Sequence, residues 1–435
     1  MMRSSVTVIG AGLAGVEAAY YLANRGIDVL LYEMRPYTHT PVHTTGYFGE
    51  LVCSNSLKSD QPYDASWLLK EEIKMLGSLI IEEAEANRIP GGKSLVVDRE
   101  YLGISITKRI LEHPNIYVIR EECKAIPDDR PVIIATGPLT SGDFARALKE
   151  MLGEDFLYFY DATSPIITRS SVDEENAFWA SRYGYGSDYL NCPMDEKEYN
   201  IFYEAILSGE TVPLEEFEKD IFFEACLPIE EIAKRGKDAL RYGPMKPKGL
   251  VDPHTGKMPY AVVQLRKEDK DGRLLGLVGF QTRLRWKEQE RIFRMVPALK
   301  KAEFVRFGVM HRNTFINSPA LLTPALDLKL DPSIFFAGQI TGVEGYVESA
   351  MTGIIAGINV YRLLENKPLI IFPEETAIGS LIRYITSCDP EDFQPMGINY
   401  GIMKVIEAKS RKEMHRLTSE RALNALRRCI DGLQI

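Results

Sequence analysis

Cysteine is scarce in this chain. Six residues, Cys53, Cys123, Cys192, Cys226, Cys388 and Cys429, are spread over 435 positions, and the nearest two are 34 apart. That spacing excludes a CxxC redox motif, a zinc knuckle and a disulfide scaffold, and it gives no metal-ligand pattern. Sparse thiols fit a reducing cytoplasm. Positive charge is not in excess either. Lys and Arg number 52 against 61 Asp and Glu, for a formal net charge of −9. A globally basic nucleic-acid coat is excluded, but a local basic patch is not. No apolar run approaches the ~18–20 residues of a membrane span. Internal repeats and low-complexity stretches are missing too. Met1-Met2-Arg3 leads almost at once into an apolar strand, which leaves no room for a signal peptide. What remains is 45% hydrophobic and 26% charged, a globular balance that rules out a disordered chain. One core stops growing at roughly 250–300 residues, so two domains or more are expected.

Val6-Thr7-Val8-Ile9 is a short β-branched run of the kind found in buried parallel strands. Gly10-Ala11-Gly12-Leu13-Ala14-Gly15 follows at once and fits G-x-G-x-x-G. Val16 to Asn24 reads as a helix, with Gly26 near its end. Ile27 to Glu33 is a second apolar strand that ends in an acid, 18 residues after Gly15. Each part has a physical task. Gly10 allows the tight turn, Gly12 lets the backbone approach a pyrophosphate, and Gly15 lets the helix pack close. The helix start offers free N–H donors and partial positive charge. Glu33 can accept hydrogen bonds from ribose hydroxyls, and its charge opposes a 2′-phosphate. A lone glycine motif says little, but strand, loop, helix, strand and acid in register point to a dinucleotide site. The motif does not distinguish FAD from NAD.

Val132 to Gly137 is another buried strand, ending in Ala-Thr-Gly, and Ile334 to Gln339 is a third. Tyr346 to Ile358 reads as a helix rich in small residues, which allow close packing on a sheet or cofactor. Its first turn can point N–H groups at a flavin. This order resembles the glutathione-reductase-type FAD fold, an α/β Rossmann-like domain. Gln339 stands where that fold usually has an Asp on the ribitol. Between 157 and 325 the pattern changes to acidic helical stretches (Asp195 to Leu207, Leu214 to Phe223) and period-2 runs (Ala261 to Leu265, Leu274 to Phe280). An α+β domain inserted at 157–325, between FAD-binding segments 1–156 and 326–435, is expected. There is no second G-x-G-x-x-G, so a nicotinamide donor would dock over the flavin. Arg283 to Arg312 holds nine basic residues against three acidic ones, with Arg283, Arg285 and Lys287 at its start. Lys234, Arg235, Lys237, Arg241, Lys246 and Lys248 form another set. On an acidic protein such clusters suggest a polyanion site; the alternative is a solvated helix face.

Six blocks make the resemblance specific: Val6 to Gly15, Glu50 to Ser56, Phe222 to Glu231, Gly243 to Pro247, Val309 to Thr314 and Gly338 to Tyr346. With these blocks, spread almost end to end, the chain closely resembles the bacterial folate- and FAD-dependent tRNA (uracil-5-)-methyltransferases, the TrmFO family. Gln339 is the usual residue there. The resemblance implies methylation of C5 of the T-loop uridine in tRNA. Carbon comes from methylenetetrahydrofolate, and electrons come from NADH or NADPH through FAD. It also implies FAD contacts from Gly10, Ala11, Gly12, Leu13, Ala14, Gly15, Glu33, Gly338, Gln339, Gly345 and Tyr346, and a cytoplasmic enzyme without membrane or metal.

Uracil C5 is a poor nucleophile. Adding a thiolate to C6 turns C5 into an enolate carbon that attacks an electrophilic methylene, so an activated Cys is needed. Cys226 suits this task, because Pro228-Ile229-Glu230-Glu231 reads as a helix start with Pro near its first position. Arg235 lies about one turn further. In the family Cys53 is also functional and near the flavin, protecting the flavin adduct or helping remove the C5 proton. Cys123, Cys192, Cys388 and Cys429 are read as structural. Tyr346 is placed to stack on flavin or substrate, or to fill the core. His311 is a base, a phosphate contact or a structural residue. Competing readings are a wobble-uridine-modifying flavoenzyme, a flavin thiol oxidoreductase using Cys53 and Cys226, and a non-catalytic RNA-binding flavoprotein. Oligomeric state, nicotinamide preference, the C5 base and the folate contacts stay open.

Overall fold

The computed structural model describes residues 5–40, 42–153, 156–184, 186–212 and 227–433. Parallel strands covered on both faces are largely apolar, and the runs at Val6, Val132 and Ile334 meet that need. They lie in a five-stranded parallel sheet ordered Ile334–Phe336, Val132–Ile134, Ser5–Ile9, Asp28–Tyr32, Ile116–Ile119. Val6 pairs with Val29 and Thr7 with Val132, so the glycine loop leaves the sheet at its carboxyl edge. The first helix, Leu13–Ala23, starts at Gly12 directly off that edge.

The small residues after Tyr346 serve a helix–helix contact. A Cβ on Gly353 would come within 2.1 Å of the Ala14 carbonyl oxygen, and one on Gly357 within 3.2 Å of that of Ala18. The Tyr346–Leu364 helix thus lies almost backbone to backbone on Leu13–Ala23, and it runs six residues beyond the expected end at Ile358. Two later helices, Ala377–Ser387 and Arg411–Leu433, were not foreshadowed by the sequence reading. Glu72 holds the first of these, accepting from the Ala377 and Ile378 N–H groups at 2.8 Å each.

A second, six-stranded sheet is ordered Phe178–Trp179, Tyr189–Met194, Ala261–Lys267, Leu274–Leu277, Ile166–Thr168, Phe304–Arg306. Its pairings are antiparallel. The run Ala261 to Leu265 falls in it whole and Leu274 to Phe280 only as far as Leu277, and the Asp195 stretch forms the helix Glu196–Ser208. Leu214 to Phe223 lies outside the described residues. One apolar cluster draws on residues 6 to 152 and 315 to 426; a separate one draws on 167 to 302. An antiparallel pair, Phe156–Ala162 with Met310–Ile316, carries the chain out and back. No helix among the described residues is long and apolar enough to cross a membrane.

Candidate functional site: a cleft between the two sheets

One continuous cleft of about 680 Å³ runs from the glycine loop to three inner strands of the second sheet. Gly10, Gly12, Leu13, Ala14, Glu33, Gly338, Gln339, Gly345, Tyr346 and Cys53 line it, together with Arg266, Glu268, Gly276 and Asn313 from beyond residue 156. Ala11 and Gly15 do not line it and act from behind. The Ala11 N–H donates to a Glu33 carboxylate oxygen at 3.1 Å. A Cβ on Gly15 would strike the Gly10 carbonyl oxygen at 1.7 Å, so this glycine serves the loop's own packing. Gly10 has φ +99°, and its Cβ would lie 2.5 Å from the Ala135 carbonyl oxygen.

Gly12 differs from both. Its φ of −74° suits any residue, and a Cβ there would meet no atom within 4 Å. Neither backbone nor packing demands glycine at this point. The side chain would enter the cleft in front of a helix start, where N–H groups are free to hold an anion. That cradle fits the diphosphate of FAD.

Arg35 changes the picture of Glu33. Its Nε and backbone N donate to Glu33 Oε1 at 2.9 and 3.0 Å, and Nη2 donates to Oε2 at 3.0 Å. Burial alone would raise the Glu33 carboxyl, but Arg35 holds it below its usual range. A ribose contact must therefore compete with Arg35, and the like-charge argument against a 2′-phosphate loses force. Arg35 also donates to Glu50 at 2.9 Å.

His43, another cleft residue, was missed by the sequence reading. Burial and then the Arg35 charge push its imidazole down to about 4, with Glu50 and Glu33 opposing only in part. Because the folded value lies below the free value of about 6.5, the neutral ring contributes stability above pH ~6.5 that is lost as pH falls toward 4. His43→Gln is expected to flatten this acid-side loss. Denaturation midpoints at a series of pH values measure it; identical slopes in the two proteins would refute the coupling.

Tyr346 does more than stack or fill space. Its hydroxyl accepts from the backbone N–H groups of Cys53 and Ser54, at 2.8 and 3.1 Å. Burial pushes that hydroxyl above its usual range, so it stays protonated. The start of the long helix thus fixes the Cys53 loop across 293 residues. Arg306 adds a second tie, donating to the Val52 carbonyl at 2.9 Å, near enough to Cys53 for the two to interact electrostatically. Asn55 joins the same segment to the second sheet through the Lys267 carbonyl at 3.0 Å, and Arg99, at the start of the helix Arg99–Leu111, pairs with Glu268 just beyond that strand at 2.8 Å. Gln339 donates to Glu344 beside the cleft.

Cys226 lies outside the described residues. The helix that follows is Ile229–Lys234, six residues long, with Pro228 at the N-cap rather than inside the first turn. Glu230 and Glu231 already occupy that turn, so its dipole offers an anion less than the sequence reading supposed. Glu230 accepts from the Thr282 hydroxyl and the Arg283 N–H. Arg283 donates to Glu231 at 2.6 Å, and its side chain is only 11% exposed. It faces inward, unlike the exposed Arg285 and Lys287. Arg291 is taken up by Glu288, and Arg306 by the Val42 and Val52 carbonyls, so the basic surface is narrower than the residue count implies. The side chain of His311 is not among those described.

Comparison with known proteins places the chain. The family model for glucose inhibited division protein A matches residues 5–368. The methylenetetrahydrofolate–tRNA-(uracil-5-)-methyltransferase TrmFO of Heliobacterium modesticaldum is 56% identical, covering 98% of this chain and 97% of its own. That of Moorella thermoacetica is 54% identical, covering 97% of each. Among solved structures, Aquifex aeolicus GidA superposes with a TM-score of 0.69 at 17% identity, over 98% of this chain and 73% of its own, a likeness of fold. With more than half its sequence shared end to end, and with the FAD-type fold and cleft described above, the chain belongs to the TrmFO family of methylenetetrahydrofolate–tRNA-(uracil-5-)-methyltransferases.

Proposed function

We propose that this protein forms 5-methyluridine in the T-loop of tRNA, taking carbon from methylenetetrahydrofolate and electrons from NADH or NADPH, with FAD as its cofactor, in the cytoplasm. Residues 1–156 and 326–435 form the FAD-binding domain, and 157–325 the inserted domain on the tRNA side. The observation that carries this reading is the shared cleft, in which Gly10 and Gly12 to Ala14, the Cys53 loop and inner strands of the second sheet face one space. FAD, when bound, supplies hydride transfer and the relay of the one-carbon unit.

The protein's residues do the rest. The helix start at Gly12 and the Gly338–Tyr346 segment hold the cofactor, with Glu33 at the ribose. The Cys226 thiolate adds to uracil C6 and makes C5 nucleophilic. Cys53, held by Tyr346 and close to the Arg306 charge, stands at the reacting end and assists loss of the C5 proton or protects the cofactor. The test is mass analysis of undermethylated tRNA incubated with the protein, NADPH and labelled methylenetetrahydrofolate. One labelled methyl on the T-loop uridine is expected. Label at the wobble position, or none, would overturn the reading.

A further inference from the structure

Of the three tryptophans, Trp67 and Trp179 are partly buried, whereas Trp286 is 61% exposed. Its indole stacks on Phe307 with ring centres 5.4 Å apart and planes 12° apart. Phe307 stacks on Phe304 at 5.2 Å, again at 12°. The series continues inward through Phe293 to Phe280, both fully buried. Three near-parallel rings therefore form a short ladder, anchored in the second core and open to solvent at its tryptophan end. A ring held this way loses little freedom when a further ring joins the stack, which is what a base-stacking platform needs.

The surroundings carry the complementary charge. Arg285 and Lys287 flank Trp286 and are exposed, Arg285 in a solvent-exposed pair with Glu210 at 3.7 Å, and the Arg294 guanidinium, 3.6 Å from Glu290, lies 5.9 Å from the Phe304 ring centre. Two neighbours of the ladder in the chain are tied to segments named above. Arg306, the residue before Phe307, reaches the Val52 carbonyl beside Cys53. Arg283, three residues before Trp286, is bonded to Glu231 in the helix that follows the Cys226 segment. An enzyme that works on a base inside a folded nucleic acid must unstack it, and a replacement stacking surface offsets that cost.

We propose that Trp286 is a stacking contact for an unpaired base of the tRNA, with Arg285 and Lys287 on the adjoining phosphates. This rests on the tRNA reading above. Stacking and charge neutralisation have different salt signatures, and that difference provides the test. Binding of an unmodified tRNA transcript is measured as log Kd against log salt, alongside methyl transfer by wild type. Trp286→Ala should weaken binding about 10- to 100-fold at every salt concentration and leave the slope unchanged, whereas Trp286→Phe should recover most of the affinity. Lys287→Glu should instead reduce the slope by roughly one ion. Flavin content and unfolding midpoint report whether each variant is folded. As a second measurement, tRNA should quench the emission of a Trp67→Phe/Trp179→Phe protein, whose remaining tryptophan is Trp286. Wild type that methylates the transcript, with unchanged Kd for Trp286→Ala and no quenching, would overturn the stacking role and leave the tRNA reading standing. A change in oligomeric state with unaltered tRNA affinity would overturn it in favour of a contact between protein copies. Wild type that methylates nothing would instead sink the underlying reading.

Discussion

Cys226→Ala is expected to keep its FAD and to lose methyl transfer by a factor on the order of 10³ or more, since removing a nucleophile costs that much where it carries the chemistry. The cofactor is retained because Cys226 belongs to neither of the segments proposed to hold it, whose residues Gly10, Gly12 to Ala14, Gly338, Gln339, Gly345 and Tyr346 line the cleft. NADPH should still bleach the flavin, because hydride transfer to it needs no thiol. tRNA affinity should stay close to wild type, separating loss of chemistry from loss of binding. Trapping sharpens the result. With 5-fluorouracil in the tRNA, wild type should form a covalent complex, since fluorine does not leave as the C5 proton does. Cys226→Ala should form none. An adduct mapped to Cys53 would exchange the roles of the two cysteines. Methylation near the wild-type rate would reject a thiolate mechanism at Cys226. The acids in the first turn of the following helix make this more than a formality, because the helix dipole alone is a weak activator there.

Gly12→Val is expected to purify colourless and to take up no FAD, yet to remain folded. Its backbone has φ −74° and its Cβ direction is clear of protein atoms for 4 Å, so the fold tolerates the side chain. The valine instead occupies the space of the diphosphate at the helix start. Gly15→Val makes the contrast. Its Cβ would lie 1.7 Å from the Gly10 carbonyl oxygen, so the loop itself must break and the protein should be strongly destabilised. Flavin released on denaturation, and the unfolding midpoint of each apoprotein, distinguish the two outcomes. A folded Gly12→Val protein with stoichiometric FAD would show that the cradle is not the diphosphate site.

Much of this protein is local, and what is local is readable in order along the chain. The strand, glycine loop, helix and acid from Val6 to Glu33 are contiguous, and their geometry follows from β-branching, glycine's small size and helix periodicity. The strand at Ile334 and the helix from Tyr346 are readable for the same reason, as are the strands at Ala261 and Leu274, although both are buried on successive residues rather than alternately, because they lie in the middle of the sheet. The assembled cleft was not readable. Tyr346 meets the Cys53 loop across 293 residues, Arg306 meets Val52 across 254, and Asn55 meets Lys267 across 212. No periodicity encodes such meetings; they exist only once two separately packed cores are clamped together. The same holds for charge. In the sequence Arg283, Arg285 and Lys287 are equivalent cations. In the fold, Glu231 draws Arg283 inward while its neighbours face solvent. Composition sets how much charge a segment holds, but long-range pairing sets how much of it reaches a partner, because an ion pair made inside the protein has already spent its field.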